Sequence, residues 1–154
     1  MFKVDMQIPD LSGVEKAFNN LAEQIKNPDV KLMRRLGDTI IEDVDKRYMA
    51  RGYGIWSPLK PETIKRKGHD NPLIETGAMF ASSQITKMDS HSVTVGVPYG
   101  GRNHDPRVPG FHQYGTSRMP VRQIVAKTPQ LVINLKNTLQ NWVNDMTKAF
   151  RTSI

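Results

Sequence analysis

The chain contains no cysteine, which excludes disulfides and thiolate metal sites and leaves the redox compartment open. No apolar run approaches the roughly 20 residues needed to cross a bilayer, so no membrane partner is expected. The opening, Met1-Phe2-Lys3-Val4-Asp5, has an acid where a secretory leader would begin its apolar core. Retention in a cytoplasm, or release by a route such as lysis, is the expectation. Catalytic patterns are missing too: there is no nucleophile motif, phosphate-cradling glycine loop or zinc-protease helix. His104-Asp105 and His112 are near enough to suggest a metal, but a further ligand has no obvious source and a proline-bearing loop is a poor scaffold. The acids gather in the N-terminal third at spacings of solvated helix faces, not in the clusters that a magnesium nuclease needs. Neither an enzyme nor a cofactor is expected.

Apolar residues are also modest in number. Hydrophobic content is 38% and the mean hydropathy −0.51 over 154 residues, with ten prolines and eleven glycines. One domain of this size can hold a core without a staple. The composition nevertheless suits a small core, long loops and a surface completed by neighbouring subunits.

Positive charge is what the chain does have, +7 in total and unevenly spread. Residues 1–45 carry −3, 46–67 carry +6, 68–98 carry −2, and 99–122 and 123–154 carry +3 each. The positive charge thus falls mainly in two loop-rich segments. It suits nucleic acid, complementary protein rings, or simply a solvated basic surface.

The periodicity predicts helices at both ends of the chain, with strands and long loops between them. Residues 12–49 form a helical pair, 50–128 loops and sheet, and 129–151 the C-terminal helix. Ser12-Gly13-Val14-Glu15 matches a capping box. Behind it Val14, Ala17, Phe18, Leu21, Ala22 and Ile25 recur at helical spacing. Asn27-Pro28 stops that helix, and a second carries Met33, Leu36, Ile40, Val44 and Tyr48 on one stripe. Short helices are predicted over 61–67, with Pro61 in the first turn, and after Thr76 as a cap. Residues 83–88 and 92–97 read as strands joined by Asp89-Ser90-His91, and 119–126 as a further strand. Residues 99–110 read as a polar loop, a candidate for order only on binding. Thr128-Pro129 opens the last helix, whose stripe is Val132, Leu135, Leu139, Trp142 or Val143, Met146 and Phe150.

Between the helices lies an ordered string: Trp56-Ser57-Pro58-Leu59, Thr63, Lys67, Pro72-Leu73-Ile74-Glu75-Thr76-Gly77-Ala78-Met79, Val93-Thr94-Val95-Gly96, His112-Gln113-Tyr114-Gly115 and Met119-Pro120-Val121-Arg122. This string resembles the virion morphogenesis (tail completion) family of Mu-like phages and related head–tail joining proteins. The resemblance spans about half the chain, in the right order. It implies an α+β fold, a small antiparallel sheet packed against N-terminal helices and a long C-terminal helix, in a structural virion protein that assembles with itself as a ring, commonly a hexamer. The implied place is the neck, between the tail tube or terminator and the head connector proteins, with possible contact with packaged DNA. The loop over 99–110 is longer and richer in arginine than the resemblance leads one to expect.

The residues carry their own readings. Trp56, set among glycines and a proline, anchors a loop in the core or forms a hot spot at a ring interface. Leu73, Gly77, Gly96, His112, Gln113 and Gly115 fix the fold, with the His-Gln-Tyr-Gly piece suiting a buried polar network. Arg102, Arg107, Arg118 and Arg122 are the expected partner-binding residues, because a guanidinium grips carboxylate or phosphate at two points. Arg122 could equally support the fold through an ion pair. The rival function is a basic nucleic-acid-binding protein, although no aromatic stacking platform is evident.

Overall fold

A computed structural model describes residues 12–99 and 105–152. Along them run α1 (Ser12–Lys26), α2 (Val30–Met49), α3 (Pro61–Lys67), α4 (Ala78–Ala81), β1 (Gln84–Met88), β2 (Val93–Gly96), α5 (Val108–Tyr114) and α6 (Pro129–Thr152). This is an α+β fold with a two-stranded antiparallel sheet and a long C-terminal helix.

Helix α2 is the central post. Asp29 caps it by accepting from the Lys31 amide at 3.1 Å. Helix α6 packs antiparallel against it: Arg35 pairs with Asp145 at 3.0 Å, and the Thr39 and Thr138 hydroxyls meet at 2.9 Å. Thr128 caps α6 by accepting from the Leu131 amide, as its position before Pro129 predicts. The β1–β2 hairpin also packs on α2. It comes so close that a Cβ on Gly37 would lie 2.6 Å from Ile85 Cδ1 and 2.9 Å from Val93 Cγ2. The glycine therefore sits mid-helix, at a cost in helix propensity, because a side chain there would push the hairpin off. Asp89 closes the hairpin by accepting from the amides of His91 and Ser92, both at 2.8 Å. Thr86 forms a bulge opposite the regular pairs.

At the C-terminal end of α2 lies the core: Val44, Tyr48, Trp56, Met79 and Ile124. The Tyr48 ring stands edge-on to Trp56 and Phe80, at centroid distances of 5.9 and 5.3 Å. Its hydroxyl is buried and has no hydrogen-bond partner among the described residues. One turn back, Asp43 and Arg47 are both buried, with Arg47 Nη2 3.6 Å from the carboxylate, and the guanidinium lies over the Tyr53 ring at 5.4 Å.

Where α2 ends, Arg51, Gly52, Tyr53 and Gly54 take φ values of 52, 69, 56 and 80° in succession. Such a left-handed run is disfavoured for residues with a Cβ. It is held by Arg51, which grips Asp70 through two nitrogens at 2.7 and 2.8 Å and the Asn71 side chain at 3.1 Å. The run swings the chain back so that Trp56 slides beneath Tyr48, its indole face against Gly52, where a Cβ would collide with the ring.

Three sequence expectations change. Residues 119–126 form no strand. Their backbone is satisfied by α5 instead, since the Arg122 amide donates to the His112 carbonyl at 2.8 Å and Gln113 binds the segment from its side chain. The loop expected over 99–110 becomes helical from Val108, because Pro109 falls in a first turn, where its missing N–H costs nothing. On the apolar stripe of α1, Phe18 is 58% and Ile25 55% exposed rather than buried, and the helix meets α6. The side chains of Ser12, Val14, Ala17 and Phe150 lie outside the described residues.

Candidate functional site

Apart from the Val93–Gly96 piece, which lies in the hairpin on α2, the string from Trp56 to Arg122 closes on one place. A cleft of about 530 Å³ opens between α3, the 73–79 turn, α5 and the 118–122 segment. Pro58, Leu59, Thr63 and Lys67 line one side; Leu73, Thr76 and Gly77 the next; His112, Pro120 and Arg122 the floor and far wall. Residues read from sequence as separate pieces are therefore neighbours.

Arg122 is the keystone. It is 7% exposed, and Nε donates to the Ser57 carbonyl at 3.0 Å while Nη2 reaches the Pro58 carbonyl at 3.4 Å. This ties the Trp-Ser-Pro loop to the distal segment. It is neither the ion pair nor the free binding arm considered from sequence, because its fork is spent on two backbone carbonyls. Burial lowers its pKa from the ordinary arginine value. Trp56 is likewise a core residue, 7% exposed, with its indole N–H donated to the Gln123 carbonyl at 3.2 Å. Its place under Tyr48 corrects the interface reading in favour of the anchoring one.

Gln113 binds the same segment from the other side. Its amide nitrogen donates to the Val125 carbonyl at 2.7 Å, and its oxygen accepts from the Ile124 and Val125 amides at 2.9 and 3.0 Å. One side chain thus does the work of a strand edge. Gly115 follows with φ of 74°, in a space where a Cβ would lie 2.9 Å from Val121 Cγ2. Leu73 takes φ of 61° and packs against the core; Gly77 precedes α4; Gly96 ends β2, where a Cβ would lie 3.0 Å from Thr86.

His112 is half-buried, and its Nδ1 has no partner among the described residues. Burial lowers its pKa, and the positive charges of Arg122 and Lys67 lower it further, so the ring is neutral at pH 7. Lys67 donates to the Asn71 carbonyl at 2.8 Å and is also lowered, first by burial and then by Arg66 and Arg122, against the opposing pull of Glu75. Arg66 is engaged by Glu75, whose carboxyl it holds below its usual value. Lys60 and Arg118 complete the cationic lining.

The four expected binding arginines separate. Arg102 lies outside the described residues, as does His104 of the suggested metal grouping. Arg107 is exposed, but Asp105 accepts from its backbone amide at 2.9 Å and from Nη2 at 2.8 Å, which draws the aspartate pKa down to about 2. Arg118 alone presents an exposed guanidinium without a partner among the described residues, and it faces the cleft. Among the described residues no group of three His, Asp or Glu side chains is placed to hold a metal. Sequence reasoning missed Lys60 and Arg66 as cleft cations, Gly37 and Gly52 as close-packing positions, and the buried Asp43–Arg47 pair. The pair's i, i+4 spacing and the lone glycine inside an amphipathic helix were the available signals.

Comparison of the chain with family models, curated proteins and solved structures returns no match.

Proposed function

We propose that this chain is a structural virion protein of a tailed phage, acting in tail completion and head–tail joining as a self-assembled ring at the neck. The observation that carries the reading is the convergence of the motif string on one cleft. Pieces up to 65 residues apart, joined by Arg122 and Gln113, build a rigid wall with cations at its rim. Such a wall suits docking onto a geometric partner better than turnover, since among the described residues no hydrogen bond joins a lining hydroxyl to His112 or Glu75. Exposed Ile133 and Leu139 on α6 agree, because a ring covers surfaces that a lone subunit leaves wet. Completion, the ring closing tube growth and offering its other face to the connector, follows as an assembly event.

The test is genetic and visual. Deleting the gene from a phage that carries it is expected to give filled heads and finished tails that fail to join. Normally joined virions from the deletion would sink the proposal. The cationic cleft also favours a second reading, a basic protein that binds duplex DNA. That reading requires affinity falling steeply with salt in a gel-shift series.

A further inference from the structure

The cleft and one face of α2 are opposites in charge and lie on different parts of the molecule. Lys60, Arg66, Lys67 and Arg118, with the buried Arg122 behind them, share the cleft lining with one acid among the described residues, Glu75. On α2, Asp38, Glu42 and Asp45 follow at i, i+4 and i+7 on one side of the helix, and Asp38 and Glu42 line a groove of about 320 Å³ against α6. Glu42 is shared with Lys46 at 2.6 Å, and Arg35 is taken by Asp145, which leaves Asp38 and Asp45 without a cation among the described residues. Burial raises the Asp45 pKa, and the charge of Glu42 raises it further. The cleft and the groove share no lining residue.

We propose that the cationic cleft of one subunit receives the acidic face of α2 from a second copy of this chain, joining subunits head to tail. The inference rests on the ring reading above and names the surfaces that close it. A heterologous contact of this kind repeats around a ring, each subunit giving one cleft and one helix face. A second copy fits better than DNA. The cleft is a concavity with apolar walls at Leu59, Leu73, Val108 and Met119, into which carboxylates on a helix can enter with their methylenes. A duplex backbone would touch only the rim.

The experiment uses the full chain in sedimentation velocity at low and high salt. Lys60→Glu with Arg118→Glu reverses the cleft, and Asp38→Lys with Glu42→Lys reverses the face. Lys60, Arg118, Asp38 and Glu42 are all exposed, and circular dichroism checks that each variant folds. Each variant alone is expected to weaken self-association by at least about 100-fold, since like charges then meet. An equimolar mixture of the two is expected to associate again, because every junction in an alternating ring is complementary. Variants that assemble like the wild type would overturn this inference and leave the ring reading standing. A wild-type chain that stays monomeric throughout would remove both. Duplex binding that is lost on cleft reversal, with assembly intact, would assign the cleft to phosphate instead.

Discussion

Gln113 offers the sharpest test of how the cleft wall is built. Replacing it with alanine removes three hydrogen bonds to the backbone of Ile124 and Val125. Ile124 is 2% exposed, so its freed amide cannot turn to bulk water. At about 1 kcal/mol net for each bond, and more where a buried group is orphaned, the loss comes to ~3 kcal/mol. In a chain of this length that corresponds to a fall of about 6–12 °C in Tm. Urea unfolding followed by circular dichroism reads the change as a lower midpoint at unchanged slope. Gln113→Glu keeps the acceptor and loses the donor, and it is expected to fall between wild type and alanine. A Gln113→Ala variant within about 0.5 kcal/mol of wild type, below the worth of one such bond, would refute the idea that this side chain replaces a strand edge.

Four further outcomes follow from the packing. Gly37→Ala is expected to lower stability by about 1–2 kcal/mol in thermal unfolding despite the better helix former, because its Cβ would collide with Ile85; pairing it with Ile85→Val should recover part of the loss. Tyr48→Phe is expected to hold or raise stability by up to about 1 kcal/mol, since it removes a buried hydroxyl with no partner. The same variant tests a pH effect: burial, aided by the Asp45 charge, raises the Tyr48 pKa, so above pH ~10 the unfolded chain loses a proton that the folded chain keeps. Wild-type stability should therefore fall as pH climbs past that point, and this contribution should vanish in the phenylalanine variant. Arg122→Lys, which cannot span the Ser57 and Pro58 carbonyls as a fork does, is expected to cost about 1–3 kcal/mol by urea titration.

The sequence disclosed what is local and periodic. The helices over 30–49, 61–67 and 129–152, and the hairpin with its Asp89 turn, follow from caps, prolines and alternation read within a few residues. What it hid is non-local. Residues 119–126 carry strand-like residues, but their partner is an amide side chain on α5, and no pattern within the segment announces that. Pro109 and Gly110 read as loop because a helix of seven residues has too little periodicity to outweigh them. At the candidate site the residues were legible but their division of labour was not. A free arginine and a buried one look alike on paper, and only the fold tells Arg118 from Arg122.

The left-handed run at Arg51–Gly54 has a consequence for how the cleft is tuned. Because its hand opposes that of α2, the helix cannot lengthen through it, and the end of α2 is fixed in register. The strain at Arg51 and Tyr53 is carried by a grip on Asp70 and Asn71, just past the C-terminal end of α3. The twist does not line the cleft, yet through Arg51 it is tied to the segment that joins α3 to the 73–79 turn, two of the cleft's walls. Slackening that grip would work like loosening a tensioned stay, easing α3 and its cations away from Arg122 while leaving every cleft residue in place in the sequence.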